Sequence, residues 1–107
     1  PVYTKIKDEH PTLYVDGCHV SNSLVADGCI IKGTVKNSLI ARYVSIEENV
    51  VLDNCIILQN CKIKAGSRLA NVIIDKNAKI EANTELKGSS QYPLVVEKRN
   101  FLSSINE

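Results

Sequence analysis

The groups in this 107-residue chain that could do chemistry are two histidines, four cysteines and a scatter of basic side chains. His10 stands beside Pro11 in a polar stretch, and His19 sits between Cys18 and Val20. Either could act as a general base, but a lone histidine in such a setting reads more simply as a surface residue. Zinc would need a clustered Cys and His set. No CxxC pair exists here, and both histidines lie upstream of Cys29, Cys55 and Cys61. No metal ligands and no catalytic residues are therefore predicted. The cysteines Cys18, Cys29, Cys55 and Cys61 could form two disulfides in a small secreted domain. The alternative is that they are small buried apolar residues in a reduced cytoplasmic protein. Gly17, Gly28, Gly33, Gly66 and Gly88 do not form a phosphate-cradling loop with a following helix.

An internal repeat fixes where these residues stand. Asn22-Ser23-Leu24-Val25 returns as Asn37-Ser38-Leu39-Ile40, Asn54-Cys55-Ile56-Ile57 and Asn71-Val72-Ile73-Ile74, at spacings of 15, 17 and 17 residues. Ile31, Ile46, Ile63 and Ile80 recur six residues after each motif, and Val20, Val35, Leu52, Leu69 and Leu86 form another series. Two residues before these aliphatics stand smaller ones: Cys29, Val44, Cys61 and Ala78, then Cys18, Gly33, Val50, Ser67 and Thr84. Alternation in such short runs is a strand signal, and repeated Asn, Gly and β-branched residues disfavour helix. Three strands per repeat, with like residues in each column, predict an all-β solenoid with triangular coils. A thin interior accounts for 12 Ile, 11 Val and 9 Leu with no Trp, and corners that favour left-handed backbone account for 10 Asn. All four cysteines fall at small inward positions, which favours free thiols over disulfides.

One column breaks the inside–outside rule. Leu24, Leu39, Ile56 and Ile73 follow inward residues and must point outward, giving an aliphatic stripe about 15 Å long. A contiguous apolar patch is uncommon on a soluble monomer. Either a terminal segment of this chain covers it, or it docks another domain or subunit. The repeat also places Arg42, Gln59 and Lys76 in one outward column, with the two cations about 10 Å apart. That column is either solvated surface or a bracket for a bisphosphate, since arginine forks suit phosphate.

Composition narrows the partners. Thirteen basic and 12 acidic residues leave a net charge of +1, no footprint for nucleic acid. No apolar run approaches the roughly 20 residues of a membrane-spanning helix. At 44% hydrophobic residues the chain can offset the entropy of folding. The chain starts at Pro1 without a Met or a visible targeting segment, and a piece of a larger protein is favoured over a complete one. Residues 1–17 are expected to open or cap the solenoid, 18–88 to form about four coils, and 89–107, including Leu94-Val95-Val96, to cover an end or flank.

The run from Asn22 to Ile40, with Ile73-Ile74-Asp75-Lys76-Asn77-Ala78-Lys79-Ile80 in the last full coil, closely resembles the C-terminal left-handed β-helix of ADP-glucose pyrophosphorylases (glucose-1-phosphate adenylyltransferases). The opening Pro1-Val2-Tyr3-Thr4-Lys5, Pro11-Thr12-Leu13-Tyr14 and the closing Tyr92-Pro93-Leu94-Val95-Val96-Glu97-Lys98 look most like the bacterial GlgD-type glycogen biosynthesis subunit. The resemblance alone supplies the left-handed coil sense, because parallel crossovers are usually right-handed. It implies a regulatory and assembly role in making ADP-glucose and pyrophosphate from ATP and glucose 1-phosphate. It further implies a preceding nucleotidyltransferase domain that uses Mg2+, and a tetramer with GlgC-type subunits in the cytoplasm. No cofactor is expected within these 107 residues. The resemblance also implies a sugar-phosphate or phosphate effector, with Lys76 at one basic contact position of the family and Lys98 near another. The rival class is a free-standing hexapeptide acyltransferase acting as a trimer, with His19 as base.

Overall fold

A chain of very short strands can stack on itself only if each corner turns within a few residues. The computed structural model describes residues 11–97, which contain strands, turns and bends and no helix. His10, Lys98 and the opening residues 1–5 lie outside the described residues.

Fifteen strands follow one another in sets of three. The first coil holds β1 (Leu13–Tyr14), β2 (His19–Ser21) and β3 (Leu24–Val25), and the second β4 (Ile30–Ile31), β5 (Thr34–Lys36) and β6 (Leu39–Ile40). The third holds β7 (Ser45–Ile46), β8 (Val51–Asp53) and β9 (Ile56–Ile57). The fourth holds β10 (Lys62–Ile63), β11 (Arg68–Ala70) and β12 (Val72–Ile74), and the fifth β13 (Lys79–Ile80), β14 (Glu85–Lys87) and β15 (Leu94–Val96). Every third strand pairs in parallel, giving sheets β1-β4-β7-β10-β13, β2-β5-β8-β11-β14 and β3-β6-β9-β12-β15. These are the first, second and third faces of a solenoid with four full turns and most of a fifth. Strands β1 and β15 lie outside the span expected for the coils, so stacking runs further than 18–88. Strand β15 continues the third sheet, with Val95 in register with Ile73, and so pairs the edge that β12 would otherwise leave open.

The corners explain the asparagines. Asn22, Asn37, Asn49, Asn54, Asn60, Asn71, Asn77 and Asn83 are all the asparagines among the described residues, and each has φ between 48° and 61°. Asparagine tolerates this left-handed region better than other side chains do. Gly17, Gly28 and Gly66 take the same role, and Tyr43, at φ 58°, is the exception.

The 15-residue repeat also has a local cause. Between the first and second faces the second coil has only Lys32-Gly33, where the third has the four residues from Glu47 to Val50. The shortened corner draws the backbone against the next coil. A Cβ on Gly33 would stand 2.5 Å from the Val50 carbonyl oxygen and 2.9 Å from that of Glu47.

Inside, like stacks on like. Ile31, Ile46, Ile63 and Ile80 fill one corner of the triangle, Val35, Leu52 and Leu69 a second, and Ile40, Ile57 and Ile74 the third, all at most 2% exposed. The small inward positions do more than fill space. Thr12 Oγ1, Cys29 Sγ, Cys61 Sγ and Ser67 Oγ donate to the carbonyls of Ala26, Ala41, Asp75 and Glu81 one coil on. The hydroxyls of Thr12, Ser23, Ser38 and Ser67 accept the N–H of Cys29, Ser38, Cys55 and Thr84 in the next coil. Corner backbone groups that the sheets cannot pair are satisfied in this way. All four cysteines are free.

Candidate functional site

The third face carries the most pronounced surface feature. Its outward column runs Leu24, Leu39, Ile56, Ile73, each in register with the next. Exposure falls along it from 72% at Leu24 to 43% at Leu39 and 39% at Ile56, and Ile73 is half-buried. Val95 extends the column by a fifth rung and is also exposed. The sequence did not show that residue, because the five-residue insertion Ser89–Pro93 breaks the spacing before β15.

Beside the aliphatic column runs an amide ladder. Asn22 Nδ2 donates to Asn37 Oδ1 at 2.6 Å, and Asn54 Nδ2 donates to Asn71 Oδ1 at 2.6 Å. Asn37 turns instead to Asp53 Oδ1 at 3.2 Å, and Asn71 donates to the Gly88 carbonyl at 3.1 Å. Gly88 takes the asparagine position of the fifth coil, after which Ser89, Ser90 and Pro93 close one end of the channel. The result is a groove of about 630 Å³ with an aliphatic floor and a wall of amides. It contains no nucleophile–base pair; its chemistry suits packing against another apolar surface.

The basic column lies on the other side of that floor, at the corner between the third and first faces. Asn60 N–H donates to the Arg42 carbonyl at 3.0 Å and Asn77 N–H to that of Gln59 at 2.9 Å, which keeps Arg42, Gln59 and Lys76 stacked. All three side chains are exposed. Asp27 heads the same ridge, a residue the sequence reading did not place there; its carbonyl accepts the Tyr43 N–H at 3.2 Å. The Asp75 carboxylate accepts the Lys76 backbone N–H at 2.8 Å and leaves the ammonium to solvent. Among the described residues the ion pair is Lys32 with Glu47 at 3.7 Å. The aliphatic groove and the basic ridge are thus neighbours but not one cavity, and Lys98 lies outside the described residues.

The remaining chemical groups are isolated. His19 is exposed on the second face, in register with Thr34, and no carboxylate orients its ring among the described residues. Burial pushes the Cys55 and Cys61 thiols above their usual range, so both resist ionisation. No cluster of three or more Cys, His, Asp or Glu that could hold a metal occurs among the described residues.

Three parallel sheets, turned by asparagine corners and filled by paired small and aliphatic residues, define a hexapeptide-repeat β-solenoid. The chain belongs to the GlmU-like C-terminal hexapeptide family, whose model matches residues 11–91. It is 45% identical over 98 residues to a glycogen biosynthesis protein GlgD of Bacillus subtilis, and 48% identical to one of Geobacillus stearothermophilus. Both alignments cover 92% of this chain and 29% of the relative. A glucose-1-phosphate adenylyltransferase of Corynebacterium jeikeium is 37% identical over 67 residues, covering 62% of this chain and 16% of the relative. The chain therefore spans less than a third of the length of the curated relatives it matches.

Proposed function

We propose that this solenoid is the regulatory and assembly domain of a bacterial glucose-1-phosphate adenylyltransferase subunit of GlgD type. The parent subunit belongs to the cytoplasmic pathway that makes ADP-glucose for glycogen, and its chemistry, with Mg2+, resides in a nucleotidyltransferase domain preceding the solenoid. The observation that carries this reading is the five-rung aliphatic column on the third face, in a chain similar to under a third of each GlgD relative. A row of exposed Leu, Ile and Val loses its contact with water only when another surface covers it. The occupant is the remainder of the same subunit, and GlgC-type subunits complete a tetramer. The Arg42–Lys76 ridge then borders that junction, where a sugar phosphate or phosphate bound by the two cations would bias the packing.

The test is to co-express the full-length subunit, carrying Leu39→Lys and Ile56→Lys, with its GlgC-type partner. Two ammonium groups on the groove floor should separate the domains, read as new protease sensitivity between them and loss of the tetramer by light scattering. Unchanged protection and unchanged mass would sink the docking role.

A further inference from the structure

The first face poses a separate question. Its outward column is Leu13, Ile30, Ser45, Lys62 and Lys79, in continuous register. One half is apolar, with Leu13 57% and Ile30 38% exposed, and the other half is cationic. Lys62 and Lys79 stand directly opposite each other on adjacent strands, a like-charge pairing that costs stability. The second face of the same solenoid does the reverse: Lys36 is in register with Asp53, and Arg68 with Glu85. On the second face unlike charges thus share register positions, and at the edge of the first face Lys32 pairs with Glu47 at 3.7 Å. In the outward column of the first face Lys62 meets Lys79 instead, and neither lysine has an ion pair or side-chain hydrogen bond among the described residues.

We infer that the first face is a second docking surface, and that its partner is a surface on another subunit carrying carboxylates beside an aliphatic patch. The inference rests on the assembly role proposed above. A second copy of this face is a poor partner in either orientation. With the two solenoids parallel, Lys62 and Lys79 meet their own counterparts; with them antiparallel, Leu13 and Ile30 meet lysines. The third face differs, since its column is aliphatic throughout. The aliphatic groove beside Leu39 and Ile56 lies on the third face and a smaller one beside Arg68 and Glu85 on the second. Electrostatic complementarity of this sort sets orientation and encounter rate more than affinity, and it weakens with salt.

The experiment uses the full-length subunit with its GlgC-type partner. Assembly is followed by sedimentation between about 50 mM and about 500 mM NaCl, a range that shortens the screening length several-fold. The wild-type pair should weaken as salt rises. Lys62→Glu with Lys79→Glu should weaken assembly about tenfold or more at low salt and remove or reverse the salt dependence. Lys62→Ala with Lys79→Ala should flatten that dependence with a smaller loss, and unchanged thermal melts certify folding. As a control, Arg68→Glu with Lys87→Glu on the second face should leave assembly as it was. If the wild type assembles and the lysine variants match it at every salt, the first-face inference falls and the assembly role stands. If the wild-type pair does not assemble, both fall. Loss of pyrophosphate binding in the lysine variants with assembly intact would assign the face to a small anion and overturn the proposal.

Discussion

Gly33 offers a test of how tightly successive coils are pressed together. The perturbation is Gly33→Ala, one methyl group at a residue whose φ is not in the left-handed region. The added carbon would lie 2.5 Å from the Val50 carbonyl oxygen, where ordinary contact begins at 3.4 Å, so about 0.9 Å must be found. The atoms in the way are backbone and cannot rotate aside. The same oxygen accepts the Thr34 N–H at 2.7 Å, so retreat also weakens a rung of the second sheet. Overpacking of this kind costs about 1–3 kcal/mol, and a lost hydrogen bond about 1 kcal/mol, for a total near 2–4 kcal/mol. Gly17→Ala is the control. It has nothing within 4 Å but sits at φ 93°, so its cost is conformational, about 1–2 kcal/mol. Urea unfolding of the two variants, followed by circular dichroism, separates the causes. A Gly33→Ala midpoint no lower than that of Gly17→Ala would refute the claim that the shortened corner presses backbone on backbone.

Three further outcomes are expected. Asn54→Ala should cost about 1–2 kcal/mol in urea unfolding, because φ is 56° and the amide donates to Asn71; Asn54→Gly keeps the backbone freedom and should cost less. Burial raises the folded-state pKa of the Cys55 and Cys61 thiols above the unfolded value near 9.0. Their contribution is complete below that value and is lost as pH rises through the folded pKa. The stability advantage of wild type over Cys55→Ala and Cys61→Ala, measured by denaturant melts, should therefore shrink above about pH 9. In calorimetric titration of the full-length subunit, fructose bisphosphate should bind at least about tenfold more weakly to Arg42→Ala/Lys76→Ala than to wild type; equal binding would remove the ridge from the effector role.

The repeating parts of the fold were legible because each repeat is an independent copy of the same physical demand. Column identity followed from spacing alone: Ile31, Ile46, Ile63 and Ile80 needed no structure to be placed together, and the outward turn of Leu24, Leu39 and Ile56 followed from alternation. What escaped were the places where one coil differs from its neighbours. Val95 joins the aliphatic column only after the Ser89–Pro93 insertion has broken the spacing. Strand β1 keeps the 17-residue spacing to β4 but precedes the first recognisable motif and carries Tyr14 where later coils carry Ile. The reason for Cys29, Cys61 and Ser67 also escaped. Size explained an inward position, but only coordinates show their thiol and hydroxyl groups donating to corner carbonyls of the next coil. Four of the eight left-handed asparagines, Asn49, Asn60, Asn77 and Asn83, were visible less as corners than as composition, until the φ values gave them one cause.

A solenoid of this kind divides its residues into two classes with different constraints. Inward columns must repeat, because each side chain rests on its counterpart one coil away, and they carry stability rather than individuality. Outward columns are free to vary, and here the three faces vary in different directions. The second sets opposite charges in register along the sheet, Lys36 with Asp53 and Arg68 with Glu85. The third is aliphatic over five rungs with an amide wall, and the first runs from aliphatic to doubly cationic. A face whose rungs satisfy one another needs no partner, whereas a face whose rungs repel one another or repel water is stabilised by one. By that criterion two of the three faces are incomplete in the isolated chain. Two docking surfaces per copy are also what a subunit requires if it must hold its own remaining domain and a neighbouring subunit together. The order of failure is then predictable: charge reversal on the first face should separate subunits while domains stay packed, and lysines on the third should loosen both.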